Sequence, residues 1–164
     1  MLRDKSLIPL SHQHQHVLAL CVRIERASPI PQNDLGAWQE EAAHLFQSEI
    51  SVHFAAEEQI VFPAAGEFQE LKALVRELIA EHTSLRSMLA RAQEGALSSD
   101  DILLLARSLS THIRTEERQL FERMQQLLSN EELGVLGGKL QPALKDSEEN
   151  CRLPSATTRL RPAK

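Results

Sequence analysis

The sequence predicts an all-α protein: an up-down-up-down antiparallel four-helix bundle, then a short C-terminal helix and a loosely ordered tail. Three observations predict it. Leu, Ala, Glu, Gln and Arg dominate, against six glycines, no tyrosine and 4% aromatic residues, a mix that favours helices over strands. Apolar residues recur at period 3.6 in four stretches, and the alternation expected of strands is absent. Short Pro-, Gly- and Ser-containing breaks separate the stretches, and short connections make antiparallel neighbours.

The elements follow in order. The first helix is expected from about Ser11 to Ala27, with Ser11 as N-cap and Pro29 and Pro31 as stops. Its apolar stripe is Leu10, Val17, Leu18, Cys21 and Ile24. Asn33 or Asp34 caps the second helix, which runs to Phe62 and is ended by Pro63 and Gly66; its stripe is Trp38, Ala42, Leu45, Ala56 and Ile60. The third helix fits Glu67 to about Glu94, closed by Gly95, with Leu71, Leu74, Leu78, Leu85 and Leu89 inward. Ser98, Ser99, Asp100 and Asp101 supply capping oxygens and first-turn acidic charge for the fourth, which ends near Ser129. Ile102, Leu105, Leu109, Ile113, Leu120 and Met124 form its stripe. Glu131 to Leu136 reads as a short helix stopped by Gly137 and Gly138. Residues 1–138 are taken as one domain. Residues 139–164, with Pro142, Pro154 and Pro162, are taken as a tail strapped on by Leu140 and Leu144.

Composition excludes several function classes. The chain has 164 residues, 42% of them apolar and 25% charged, values of a folded globular domain. A net charge of −5 argues against a nucleic-acid footprint. No apolar run approaches the roughly 18 residues of a membrane span. The first residues lack a signal-peptide core, so a cytoplasmic setting is expected. Cys21 and Cys151 are too few for a disulfide framework, and Cys21 reads as core packing.

The seven histidines carry the chemistry. His53 and Glu57 stand four residues apart in the second helix, and His112 and Glu116 repeat the spacing in the fourth. Residues at i and i+4 share a helical face, and here that face is the apolar one. His82 extends the stripe of the third helix between Leu78 and Leu85. In Ser-His-Gln-His-Gln-His, His14 shares the face of Leu10, Val17, Cys21 and Ile24, with His16 as its rival; His12 and His16 look the other way. Counted from the turns, His14, His53, His82 and His112 lie roughly 17, 12, 17 and 16 residues along their helices, levels that agree within about one and a half turns at 1.5 Å per residue. One His-x-x-x-Glu pair alone is most often a surface ion pair. Two such pairs plus two further inward histidines, one set per helix, are hard to obtain by chance. Buried carboxylates are costly unless paired, and no inward Lys or Arg is evident. A metal solves this. Imidazole with carboxylate suits iron, manganese or zinc, and bundle cores carry dinuclear sites with bridging carboxylates. Glu49, four before His53, and Glu81, beside His82, are candidates for orienting a ligand.

The order of these motifs resembles the hemerythrin-like HHE cation-binding domains. The segments LSHQHQHVLAL, HFAAEEQIVFP, LIAEHTSLRSML and HIRTEERQLFERM carry the resemblance, over about residues 8 to 128. It implies a hemerythrin-like bundle with a non-haem di-iron centre, His14, His53, Glu57, His82, His112 and Glu116 being the metal ligands and the two glutamates bridging. The oxygen-carrying hemerythrins have a His-x-x-x-His pair in the third helix, where this chain has Leu78 and Arg86 four residues either side of His82. The four-His, two-Glu set is more similar to di-iron proteins of iron–sulfur cluster repair, whose cysteine-bearing N-terminal domain this sequence lacks. Ferritin-like Glu-x-x-His is absent: Ile50, Ile79 and Leu109 stand three before His53, His82 and His112.

The expected function is therefore metal binding by two iron ions, with zinc or manganese as alternatives. The expected partner is a small diatomic, O₂ or NO, in sensing, storage, detoxification or iron homeostasis, with no nucleic acid or membrane and with a homodimer left open. Cluster repair is the first alternative, and a metal-free helical interaction module whose His/Glu layer sets register is the second. No nucleophile or phosphate loop argues for turnover on an organic substrate.

Overall fold

The computed structural model describes residues 2–147 and 153–159. Cys151 and part of the expected tail lie outside them. Among the described residues, five helices make up the fold and no strand occurs. Helix α1 is Ile8–Ala27. Helix α2 spans 35–66 without a break in helical backbone, but widens into π-type turns at Phe46–Ile50 and Glu57–Val61. Helix α3 is Lys72–Gln93. Helix α4 spans 99–127 with a π-type segment at Glu116–Phe121. Helix α5 is Asn130–Leu144.

Successive helices meet with residue numbers running in opposite order. Gln13 meets His53 while Arg23 meets Glu41. Glu58 meets Arg86 while Gln39 reaches Leu97, just past α3. Glu81 meets His112 while Arg91 meets Asp101. Ser11 meets Glu117 while Cys21 meets Ser110.

Local chemistry explains most boundaries. Ser98 and Asp101 form a capping box at the start of α4, and Ser129 and Glu132 form another at α5. Gly95 has φ +68°. Its N–H bonds to Ala92 and that of Ala96 to Arg91, so α3 ends in a Schellman motif. Three expected boundaries move. Helix α1 starts at Ile8, because Pro9 falls in the first turn where a missing N–H costs nothing; Ser11 is no cap, and its hydroxyl donates to Glu117. Helix α2 continues past Pro63. Phe62 N–H reaches back five residues to Glu57 O, so the widened turn has already broken the i−4 ladder that proline would interrupt. Phe68 is extended, which delays α3 to Lys72 after a 3₁₀ turn at Gln69–Leu71.

The largest difference is α5. It runs through Gly137, Gly138 and Pro142 rather than ending at the glycines. Leu133, Leu136, Leu140 and Leu144 form one buried face, and that packing overrides weak local propensity. Gly137 passes so close to the N-terminal segment that a Cβ there would sit 2.8 Å from Ser6 Cβ. Pro142 offers no N–H to the carbonyl of Gly138, which belongs to an exposed residue.

The core divides in two. One cluster includes Val17, Cys21, Ile24, Trp38, Leu85, Leu89, Leu105 and Leu109. The other includes Leu7, Leu10, Val61, Phe62, Leu78, Phe121, Met124, Leu136 and Leu140. Along each of α1 to α4 the two groups are separated at one level, occupied by His14, His53 with Glu57, His82, and His112 with Glu116. Burial raises the Cys21 thiol pKa to about 11, so it packs as an apolar group. No described helix is long and apolar enough to cross a membrane.

Leu105 is fully buried in the first cluster. Leu105→Ala is expected to lower unfolding stability by about 2–5 kcal/mol in chemical denaturation.

Candidate metal centre

The polar level is made by side chains that helical spacing forces inward. From His53, the residues Glu57, Val61 and Ala65 are all buried; from His112, so are Glu116, Leu120 and Met124. Three steps of four residues would turn a regular α-helix by about 120°. The π-type turns begin at Glu57 and at Glu116; they take up that rotation and keep each line of residues on the core.

His14, His53, Glu57, His82, His112 and Glu116 are each at most 4% exposed, and the structure brings all six together. Their atoms sort into two quartets, His14, His53, Glu57 and Glu116, and Glu57, His82, His112 and Glu116. Each carboxylate turns one oxygen to each quartet. Glu57 Oε1 lies 3.1 Å from His53 Nε2, and its Oε2 lies 3.4 Å from His82 Nε2. Glu116 Oε2 lies 3.2 Å from His14 Nε2, and its Oε1 lies 3.2 Å from His112 Nε2. Within quartets, His14 and His53 Nε2 are 2.9 Å apart, and His82 and His112 Nε2 are 3.0 Å apart.

Every Nδ1 faces outward onto an acceptor. His14 meets Glu117 at 2.6 Å, His53 meets Gln13 at 2.7 Å, His82 meets Glu58 at 2.8 Å and His112 meets Glu81 at 2.7 Å. This leaves Nε2 as the inward donor atom, the arrangement of metal-ligating histidines. The rings are also fixed by stacking. Phe54 lies 3.8 Å from His82 and Phe121 lies 5.7 Å from His14, centroid to centroid. Arg86 covers Phe54 and pairs with Glu58; Arg3 covers Phe121 and pairs with Glu117.

A cation fits this donor set. All four carboxylate oxygens of Glu57 and Glu116 are buried without a well-formed hydrogen bond, a heavy cost unless a positive charge lies among them. Two nitrogens about 3 Å apart are what two metal–nitrogen bonds of about 2.1 Å at a right angle produce. Without a metal, protons supply the charge. Burial opposes a charged His14, yet the Glu116 carboxylate 3.2 Å away and the hydrogen bond to Glu117 raise its pKa to about 9. Burial opposes a charged His112 too, yet the charge of Glu116 and the hydrogen bond to Glu81 carry it to about 10. Burial would raise Glu57, but His53 and His82 hold it well below the usual carboxylate range. Partial burial would likewise raise Glu117, and hydrogen bonds from His14 and Ser11 hold it at about 2.

The other candidates take different places. His16 is a surface residue, its side chain 53% exposed, and it pairs with Glu49 at 2.9 Å. Glu49 is buried beside the level but bonds to His16, not to His53. Glu81 orients His112 rather than its neighbour His82. The sequence pattern does not mark Gln13, Glu58, Glu117 or Arg3 as site residues, and it marks Arg86 only as the position where a His-x-x-x-His pair is missing. A signal for two of them was present: each inward glutamate is followed directly by a second, Glu57-Glu58 and Glu116-Glu117.

The hemerythrin HHE cation-binding domain model matches residues 9–124. The chain belongs to that family. No curated protein and no solved structure matches it. Members of the HHE family bind metal cations, and the two His/Glu quartets are where this member could hold them.

The shifts set a pH dependence for the metal-free protein. The raised His14 and His112 values stabilise the fold fully below the ordinary 6.5, and that stability is lost as pH rises through about 9 to 10. The lowered carboxylates contribute above their ordinary 4.5 and lose it as pH falls. The melting temperature of metal-free protein should therefore peak between about pH 4.5 and 6.5 and decline toward pH 10. A flat profile from pH 6.5 to 10 would contradict this charge pattern.

Proposed function

We propose that α1 to α4 form an up-down-up-down bundle whose centre holds two iron ions and binds a small diatomic, O₂ or NO, in a cytoplasmic sensing, storage, detoxification or iron-homeostasis role. The observation that carries the reading is the pair of quartets sharing Glu57 and Glu116, one oxygen of each carboxylate to each quartet. His14 and His53 would hold one ion, His82 and His112 the other, and both glutamates would bridge. Bound iron would supply the redox chemistry and the affinity for a diatomic.

The chain's own residues do the rest. The outward Nδ1 bonds keep each imidazole in the tautomer that presents Nε2. Val17, Ile50, Phe54, Leu109 and Ile113 line a cavity beside His14, His53 and His112. Its free space is about 10 Å³, about the lower limit for one water molecule. The apolar part of this lining keeps bulk water from the centre. The metal-free interaction module is disfavoured, because a register-setting polar layer needs every buried carboxylate satisfied, and these are not.

Elemental analysis of anaerobically reconstituted protein should find two metal ions per chain, matching the two quartets. New near-ultraviolet and visible ligand-to-metal bands should follow exposure to air or NO. Absence of stoichiometric metal after reconstitution would end the reading, and zinc with no spectral change on iron loading would reduce it to a structural site. Variants sharpen the test. His53→Ala should lose one ion, whereas Glu57→Gln or Glu116→Gln should lose both because each carboxylate serves both quartets. His14→Ala should lose metal and His12→Ala should not.

A further inference from the structure

The hydrogen bonds around the six central side chains repeat across the two halves of the bundle. The second glutamate of each Glu-Glu pair orients a histidine on an odd-numbered helix: Glu58 holds His82 and Glu117 holds His14. Each is backed by an arginine, Arg86 and Arg3 respectively. The residue before each odd-helix histidine orients a histidine on the next helix: Glu81 holds His112 and Gln13 holds His53. At this last position the repeat breaks, because a neutral amide stands where the other half has a carboxylate.

The orientation of that amide is set from the C-terminal segment. Ser147 Oγ donates to Leu144 O at 2.6 Å, so it accepts from Gln13 Nε2. Gln13 Oε1 must then face His53 Nδ1, which donates to it. Gln13 and Ser147 are both buried. The chain of donors runs from His53 through Gln13 and Ser147 to the end of α5.

We propose that Gln13, held by Ser147, makes the His14/His53 position the weaker of the two metal positions and ties its affinity to docking of the C-terminal segment. This rests on the two-metal reading above. A carboxylate accepting from Nδ1 makes an imidazole a stronger donor to a cation, whereas an amide carbonyl does so less, and changes of such outer partners shift metal affinity about 10–100-fold. Both quartets share Glu57 and Glu116, and Arg3 and Arg86 match one another. The one difference in formal charge among the four Nδ1 acceptors is Gln13 against Glu81; Ser11, which donates to Glu117, draws acceptor strength away from His14 and so weakens the same quartet. Glu81 is 43% exposed, and solvent screening of its charge places the expected gap near the lower end, about tenfold.

The test is an anaerobic equilibrium titration of the full chain with Co²⁺ against a competing chromophoric chelator. Wild type should bind in two steps about tenfold apart. Gln13→Glu should tighten the weaker step until the two merge, and Glu81→Gln should merge them by loosening the tighter one. Ser147→Ala should loosen the weaker step alone, and His53→Ala should abolish it while the tighter step remains. Two equal steps, unmoved by Gln13→Glu and by Ser147→Ala in chains whose circular dichroism matches wild type, would overturn the inference and leave the two-metal reading intact. No stoichiometric cobalt in wild type would overturn both. If Gln13→Glu does not fold, Ser147→Ala and Glu81→Gln decide the matter.

Discussion

Two carboxylates buried at the middle of an apolar core constrain the rest of this structure. Glu57 and Glu116 are fully inaccessible, and their four oxygens lack well-formed hydrogen bonds. Uncompensated, such groups would cost more than the marginal stability of a domain this size allows. The positive charge that offsets them must come from within the level itself. Four imidazoles surround them, and these accept either protons or coordination to a cation. Protonating all four leaves the Nε2–H groups facing one another in pairs about 3 Å apart, where like charges repel. A cation satisfies nitrogens and oxygens at once. The donor set therefore favours metal on electrostatic grounds that are independent of family membership.

The same constraint explains departures from regular helix. A continuous α-helix cannot keep residues four apart on one line for a dozen residues. Yet His53, Glu57, Val61 and Ala65 are all buried, as are His112, Glu116, Leu120 and Met124. The widened turns that begin at Glu57 and Glu116 resolve the conflict. They also direct Glu58 and Glu117 sideways onto the neighbouring helices, where each meets a histidine Nδ1. One backbone irregularity thus serves both the inward carboxylate and the outward acceptor, which fits the frequent occurrence of π-bulges at functional sites.

Much of this was legible in the sequence. The apolar periods locate α1 to α4, and Gly95 and Ser98 mark their turn correctly, because both act through local backbone chemistry. The inward level was legible because i, i+4 spacing maps directly onto a helical face. The course of α5 was not. Two glycines and a proline are breakers by propensity, and only burial of Leu133, Leu136, Leu140 and Leu144 on the other helices outweighs them. The outer acceptors were also hidden. Glu81 reaches across to His112 rather than to the adjacent His82, and a pairing between helices depends on rotation and level that no local pattern encodes. Gln13 is the extreme case, since its partner Ser147 lies 134 residues away.

That contact changes what the fifth helix does. Its leucines close the second apolar cluster, which would account for it as a cover. But a buried glutamine has two polar ends, and burying either unsatisfied costs about 1–3 kcal/mol. His53 satisfies the carbonyl end of Gln13, and in this fold Ser147 satisfies the amide end. The serine can do so only because its own proton is taken by Leu144 O at the end of α5. The tautomer of a central histidine is thereby set by the terminal turn of a helix outside the four that surround the polar level. Apolar contacts tolerate small slips of α5 along the bundle. A hydrogen-bond chain with one allowed direction does not, so it registers the last helix against the first.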